Sequence, residues 1–481
     1  MSDLDGGANP VVIQGGMGVA VSGWRLARSV GCLGQLGVVS GTALDVVHAR
    51  RLADGDLDGE LRRAYAEFPV AGVAERVLDR WFIDGGRAPD APYKKVPTGR
   101  VEPPGLLTAL TVLANFAEVW LAKAGHGGPI GVNYLEKLQL PTPHAAYGAL
   151  LAGVDYVLMG AGIPAAVPQL LTALALGEAV SYRISVDGAA RDEGHSLRFD
   201  PAELFGAPPP RLHRAQFLAI VSSNALATFL AKDPLTRPDG FVVETSLAGG
   251  HNAPPRGRLQ LDPAGEPVYG PRDDVDVLQL TGLGLPYWLA GGYGNPEALR
   301  DALAAGAAGV QVGTAFALCE ESALSPTLKR EVIRKALEGT LRVMTDPRAS
   351  PSGYPFKVAD VAGSVADPGV YEGRQRICDL GFLRVPYKQP DGSIGYRCAS
   401  EPIDDYLSKG GKLEDTVGRK CLCNSLLATV GTGQLRPAGA EPPLVTVGDD
   451  AVRVVRALAG RSGVWSAADV VSYLLAGTNL A

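Results

Sequence analysis

Leu289-Ala290-Gly291-Gly292-Tyr293-Gly294 and, after a short alanine-rich stretch, Ala308-Gly309-Val310-Gln311-Val312-Gly313-Thr314-Ala315-Phe316 decide the fold. An apolar run ends in a glycine turn, residues 298–306 have helical composition, and a second apolar run ends in a second glycine turn. That is strand, turn, helix, strand, turn, the grammar of a βα unit. Apolar runs without polar alternation are what a parallel sheet covered by helices needs. In a (β/α)8 barrel the loops after the last two strands often bind phosphate, because glycine lets backbone N–H groups approach an anion and a helix N-terminus favours negative charge. Gly291, Gly292, Gly313 and Thr314 are the expected donors. Chance glycine pairs are common in a chain with 61 glycines, so the signal lies in the coupling of the two turns.

The same rhythm recurs outward from that unit. Strands are expected at residues 11–14, 36–40, 130–133, 156–159, 217–222, 241–244, 287–290 and 309–312, with a weaker run at 180–186 before the fifth. Eight such strands predict an α/β fold, a closed (β/α)8 TIM barrel with long loop insertions and a C-terminal extension; an open doubly wound sheet is the competing architecture. The insertions are expected at about residues 84–104, 187–214 and 252–281, all rich in glycine, proline and charge. The last two leave from strand ends or just beyond them, which suits a lid or an oligomer contact. Beyond Thr340 the rhythm stops. Residues 1–340 are expected to be the barrel and 341–481 an extension packed on it, with turns at 351–355 and 389–392 and helical patches around 423–429, 450–458 and 467–475.

Lys+Arg 45 against Asp+Glu 51 leaves a net charge of −6, and no basic run interleaves with aromatics, so nucleic acid is not an expected partner. The start, Met1-Ser2-Asp3-Leu4-Asp5, is acidic where a signal peptide would be basic, and no uninterrupted apolar run reaches the roughly 18 residues of a membrane span. The expectation is a soluble cytoplasmic protein with no membrane partner, and a homo-oligomer stays open. Four of the six cysteines, Cys378, Cys398, Cys421 and Cys423, fall in the last quarter. They could in principle hold zinc, yet Cys378 and Cys398 lack C-x2-C spacing, so reduced buried thiols and no metal are expected.

Phe241-Val242-Val243-Glu244-Thr245-Ser246-Leu247-Ala248-Gly249-Gly250-His251 is the second informative stretch. A buried strand runs into two glycines and a histidine, the side chain best suited to proton transfer near neutral pH, which points to a catalytic loop at a barrel mouth. His48, His126, His144, His195 and His213 lack a flanking motif; only His195 and His213, in the insertion before the fifth strand, are worth checking near the mouth.

As an ordered set these residues resemble the FMN-dependent nitronate monooxygenases (formerly 2-nitropropane dioxygenases), related to FMN-dependent enoyl-acyl-carrier-protein reductases. Gln14-Gly15-Gly16-Met17 is similar to the first-strand motif, Gly131-Val132-Asn133 to the third-strand motif, Met159-Gly160-Ala161-Gly162-Ile163-Pro164 to the turn after strand four, and Val221-Ser222-Ser223 to the end of strand five. Glu244 with Gly249-Gly250-His251, then Gly291-Gly292 and Gln311-Val312-Gly313-Thr314, complete the resemblance over roughly residues 10–335.

The resemblance implies a flavoprotein oxidoreductase with FMN as cofactor. Its phosphate would lie at Gly249, Gly250, Gly291, Gly292, Gly313 and Thr314, with Gln311 in the same phosphate half, its ring over Gly15, Gly16 and Met17 in the motif that begins at Gln14, Asn133 at the ring edge and Glu244 behind it. Glu244 is either a hydrogen-bond acceptor there or half of an ion pair with a barrel Lys or Arg. His251 would be the catalytic residue, in a monooxygenase that oxidises an alkyl nitronate or similar small carbanion with O2. The alternatives are an NAD(P)H-dependent enoyl-thioester reductase on the same scaffold and a non-catalytic flavin- or partner-binding barrel. An IMP-dehydrogenase-like enzyme would need a nucleophilic cysteine at the mouth, and the barrel cysteines, Cys32 and Cys319, fall in helical stretches.

Overall fold

A computed structural model describes residues 9–190, 192–460 and 463–478. Eight strands close a parallel barrel: β1 (Val12–Gln14), β2 (Leu36–Ser40), β3 (Ile130–Leu135), β4 (Tyr156–Gly160), β5 (Gln216–Val221), β6 (Gly240–Glu244), β7 (Tyr287–Ala290) and β8 (Gly309–Val312). The order around the barrel is the chain order, and β1 pairs with β8 in register Val12 with Val310 to shut it. All eight expected strands are present. Their legibility has one cause: β2, β4 and β7 are buried at every residue, so no polar alternation interrupts them. Ile13, Leu36, Val38, Leu158, Leu218, Val242 and Trp288 fill the interior, where the Trp288 indole donates to the Pro10 carbonyl at 2.7 Å.

The weaker run at 180–186 is not a barrel strand. Val180–Arg183 pairs antiparallel with Ser196–Phe199 in a separate two-stranded sheet. Its burial alternates, with Ser181 and Arg183 exposed, so it presents only one apolar face and cannot stand inside a sheet covered on both sides. This insertion reaches the extension, where the Asp187 N–H donates to the Pro386 carbonyl at 2.9 Å and Asp187 pairs with Arg397. Helix Gly105–Lys123 has a mean hydropathy of 1.5 and the length of a membrane span, yet 78% of it is buried against helices Trp24–Cys32, Leu44–Ala53 and Thr142–Leu151, the position of a core helix.

After Thr340 come two hairpins, Val343–Asp346 with Phe356–Ala359 and Val385–Lys388 with Ile394–Arg397, then helices Leu422–Thr429, Ala451–Leu458 and Ala467–Leu475. The last helix opens on a capping box, Ser466 with Asp469, and buries Ala467, Val470, Val471 and Leu474. It lies against helices Trp24–Cys32 and Pro296–Ala304, and just before it the Trp465 indole donates to the Ala315 carbonyl at 2.9 Å. The chain therefore returns to cover helices that flank the first and last strands.

Candidate active site

The C-terminal ends of the strands open into one cavity of about 820 Å³. Gly15, Gly16, Met17, Asn133, Glu244, Gly249, Gly250, His251, Gly291, Gly292, Gln311, Gly313 and Thr314 all line it, so thirteen of the fourteen residues singled out from the sequence share one wall. Gln14 does not. Its side chain is fully buried behind the wall, where Nε2 donates to Ser22 Oγ at 2.9 Å and Oε1 accepts from the Val38 N–H at 3.0 Å. Those bonds tie β1 to β2 and to the turn that carries Gly15–Met17. Neither His195 nor His213 reaches the cavity; His195 lies 3.8 Å from Glu193 on the insertion.

The glycines have separate reasons to be glycine. A Cβ on Gly16 would come within 2.3 Å of Asn133 Cβ, so only a bare backbone fits between β1 and β3. Gly291 and Gly292 both take positive φ, +85° and +83°, at the turn after β7, where other residues are strained. Around Gly15 the wall is flat, with Gln311 Cγ 3.3 Å from where a Cβ would lie. Gln311 Oε1 is buried without a hydrogen-bond partner, an orphaned acceptor in the same wall. A planar ligand with a polar N–H edge fits a side-chain-free platform beside an unsatisfied amide.

Glu244, at the end of β6, forms no ion pair and no side-chain hydrogen bond among the described residues, which removes the ion-pair reading. Burial alone pushes its carboxyl up to about 8. It is therefore a neutral acid at pH 7, able to donate one hydrogen bond into the cavity.

The glycine-turn end is shared with the extension. The Gly250 N–H donates to Thr446 Oγ1 at 2.8 Å, and Thr314 Oγ1 accepts from the Gly448 N–H at 2.9 Å. One expected phosphate donor, the Gly250 N–H, thus already has a partner, and the Thr314 hydroxyl oxygen is engaged as an acceptor. The N–H groups of Gly292, Gly313 and Thr314 make no backbone or side-chain hydrogen bond among the described residues and stay available to an anion. Asp450 stands at this end too, with burial raising its carboxyl above the usual range, and Arg453 donates to the Gly292 carbonyl at 2.7 Å.

His251 is held from two sides. Its Nε2 lies 2.7 Å from Ser350 Oγ, and its ring meets Phe356 edge-on at 4.8 Å and 82°. Burial, with the Lys137 ammonium as a smaller cause, lowers its pKa to about 4, so the imidazole is neutral at pH 7. Ser350 Oγ in turn bonds Ser352 Oγ at 2.7 Å, and Lys137 Nζ donates to the Ser352 carbonyl at 2.9 Å while lying 3.7 Å from the Tyr354 ring centre. Sequence reasoning missed Ser350, Tyr354, Phe356, Thr446, Gly448 and Asp450. They sit in the extension without a motif, and the turn composition at 351–355 was their one visible trace.

A family profile described as nitronate monooxygenase matches residues 159–350, which run from the end of β4 through β8 to Ser350. A (3aS,4S,5R,7aS)-5-hydroxy-7a-methyl-1-oxo-octahydro-1H-indene-4-carboxyl-CoA dehydrogenase of Mycobacterium tuberculosis is 32% identical over 131 residues, 27% of this chain and 33% of that protein. A nitronate monooxygenase of Pseudomonas aeruginosa is 33% identical over 152 residues, 31% of this chain and 40% of that protein. The chain thus spans 33–40% of the length of these curated relatives. Among solved structures, FabK from Thermotoga maritima superposes with a TM-score of 0.47 at 15% identity over 97% of this chain and 92% of that one. A nitroalkane oxidase from Streptomyces ansochromogenes gives 0.45 at 14% over 97% and 95%. The profile lies over the strand ends that carry Glu244, His251 and both glycine turns, so this stretch of the chain is similar to the nitronate monooxygenase family.

Proposed function

We propose that the protein is an FMN-dependent oxidoreductase that oxidises a small carbanion, an alkyl nitronate or a related species, with O2 as electron acceptor, and in which His251 takes the α-proton when the substrate arrives as the neutral acid. The observation that carries this reading is a neutral histidine, fixed by Ser350 at 2.7 Å, facing the same cavity as both glycine turns.

The residues present fit FMN. Gly15, Gly16 and Met17 offer the flat face, Asn133, Gln311 and Glu244 the polar edge, and Gly249, Gly291, Gly292, Gly313 and Thr314 the anion end, beside Gly250, whose N–H is already given to Thr446. When bound, FMN supplies the redox chemistry, accepting the substrate's electron pair and passing it to O2. The chain supplies the rest. With Nε2–H donating to Ser350 Oγ, the imidazole keeps a lone pair on Nδ1, so it can remove an α-proton or accept a hydrogen bond from a protonated substrate. Glu244, protonated at neutral pH, adds no negative charge that would oppose an electron-rich ring, and donates instead of accepting. Phe356 and Tyr354 close the wall beside His251, limiting water there.

A second reading is an NAD(P)H-dependent enoyl-thioester reductase. The cavity, at about 820 Å³, would hold FMN together with the substrate. Its lining includes Ile163 and Phe229, both more than half exposed, which would suit an apolar chain. The mycobacterial relative's name ends in carboxyl-CoA dehydrogenase, which supports a thioester substrate.

Absorbance of the purified protein followed by anaerobic titration separates these readings. Bleaching of a bound flavin by a nitronate and not by NAD(P)H supports the first. Bleaching by NAD(P)H with reoxidation by an enoyl thioester overturns it in favour of the second. A colourless protein that takes up no FMN overturns both and leaves a partner-binding barrel.

A further inference from the structure

Cys378, Cys398, Cys421 and Cys423 fall on three separate loops of the extension. Cys378 follows helix Pro368–Gly373, Cys398 directly follows strand Ile394–Arg397, and the other two open helix Leu422–Thr429. The chain brings all four to one small enclosed cavity of about 10 Å³, roomy enough for an object the size of one water. All are free thiols. Cys421 Sγ donates to the Ile377 carbonyl at 3.7 Å, and Cys398 Sγ lies 3.5 Å from Ser400 Oγ. As the side chains lie, no group of three or more His, Cys, Asp or Glu among the described residues is placed to hold a metal ion, so binding would require the four sulfurs to close in on their shared cavity. A metal takes cysteine as thiolate and releases the protons.

The surroundings give an independent reason for a cross-link. Between Gly373 and Cys421 the longest elements are two four-residue strands, a six-residue helix at Ile403–Ser408 and a 3-10 turn at Leu413–Thr416. Val385, Ile403, Leu407, Leu413 and Val417 are exposed there, so apolar burial contributes little to holding the loops together. Loop-rich segments with so small a core are where a structural metal replaces one. Donors are in place around the sulfurs: Asn424 Nδ2 at 3.5 Å from Cys421 Sγ, the Arg374 guanidinium near Cys421, and Ser400 at Cys398.

We propose that these four cysteines are the ligands of a structural thiolate centre for one Zn²⁺ that staples the middle of the extension. Zinc binding involves no redox change, since four thiols give up protons to solvent as four Zn–S bonds form. The centre also braces the active-site wall. Next to it the Lys420 N–H donates to the Ala349 carbonyl at 2.8 Å, and Arg419 Nη1 donates to the carbonyls of Ser350 at 2.7 Å and Arg348 at 3.0 Å. Ser350 is the residue that holds His251, so loosening the staple should disturb that contact before it reaches the glycine turns.

Elemental analysis of the full chain, purified anaerobically without a metal-affinity step, tests this. The expected result is about one zinc per chain. After chelation, Co²⁺ alone should restore one equivalent with thiolate-to-cobalt charge-transfer absorption. Cys421→Ser/Cys423→Ser should abolish that band and Cys32→Ser should keep it. Asn424→Ala, which leaves every ligand, should weaken Co²⁺ by about 10-fold. The flavin content of each sample is a separate readout, so failure of the cofactor assignment would not be mistaken for failure of this one. A native protein without stoichiometric zinc, whose thiols all titrate freely and which takes up no more Co²⁺ than the double variant, overturns the proposal.

Discussion

Glu244 ends β6 as a carboxyl that burial keeps protonated, and the sign of its effect on stability follows. Its folded pKa of about 8 lies above the ordinary 4.5, so its contribution is fully present below about 4.5 and is lost as pH rises through about 8. Glu244→Gln keeps the shape and removes the titration. Urea unfolding of cofactor-depleted protein should show the wild type losing stability between about pH 5 and pH 8 relative to the variant; parallel curves would refute the buried neutral acid. His251→Asn should keep the flavin and lose turnover by about 10²-fold or more, the scale of a positioned base. Because the wild-type imidazole titrates at about 4, the acid limb of kcat/KM should fall near that pH and not near 6.5; a limb near 6.5, or normal turnover in the variant, would remove His251 from the mechanism. Gly313 separates charge from strain, since its φ is −106° and a Cβ there would meet only Met17 Sδ at 3.7 Å. Gly313→Ala should therefore retain FMN and Gly313→Asp should lose it, by dialysis and flavin fluorescence. Equal retention would move the phosphate elsewhere.

At the scale of elements, what was legible and what was not separate cleanly by physics. Barrel strands declare themselves because both faces are buried, and glycine turns because close approach and positive φ leave few other choices. Gln14 was misplaced because a buried polar residue at a strand end reads the same whether its amide faces a ligand or ties two strands together. Ser350, Thr446 and Gly448 were invisible because a single serine or threonine acquires its role only from a contact far away in sequence. Lys357 is another such residue. It is 2% exposed on strand Phe356–Ala359, and its Nζ bonds Thr345 Oγ1 at 2.6 Å and Asp449 at 2.5 Å, joining the hairpin beside His251 to the segment that meets Gly250 and Thr314. Removing one partner of so buried a pair costs up to about 3–5 kcal/mol, less here because Asp449 is partly exposed. Lys357→Met should lower stability by about 1–3 kcal/mol in urea and weaken FMN retention together. Unchanged stability would mean that this strut is not needed.

At the scale of the whole molecule, the division into barrel and extension becomes a question of whether either part can stand alone. The extension contributes Tyr354, Phe356, Leu426, Thr446, Val447, Gly448 and Asp450 to the cavity lining, and its Ser350 holds His251. Its last helix lies on two of the barrel's outer helices, and helix Ala451–Leu458 packs on Pro326–Leu337 and Thr314–Ala317 beside the β8 glycine turn. Cutting the chain after Thr340 would uncover the faces of helices Trp24–Cys32, Pro296–Ala304, Pro326–Leu337 and Thr314–Ala317 that the last two helices of the extension pack against. At roughly 1.5–3 kcal/mol for each large side chain returned to water, that loss rivals the 5–15 kcal/mol by which a domain is usually stable. Residues 1–340 alone should therefore be insoluble or unfold without cooperativity, and should hold no FMN even when it is supplied during refolding. The check is a paired expression of the two lengths with solubility, thermal unfolding and flavin content measured on each. A soluble, cooperatively unfolding, yellow 1–340 fragment would make the extension an attachment; its failure alongside a well-behaved full chain would make barrel and extension one folding unit with one active site.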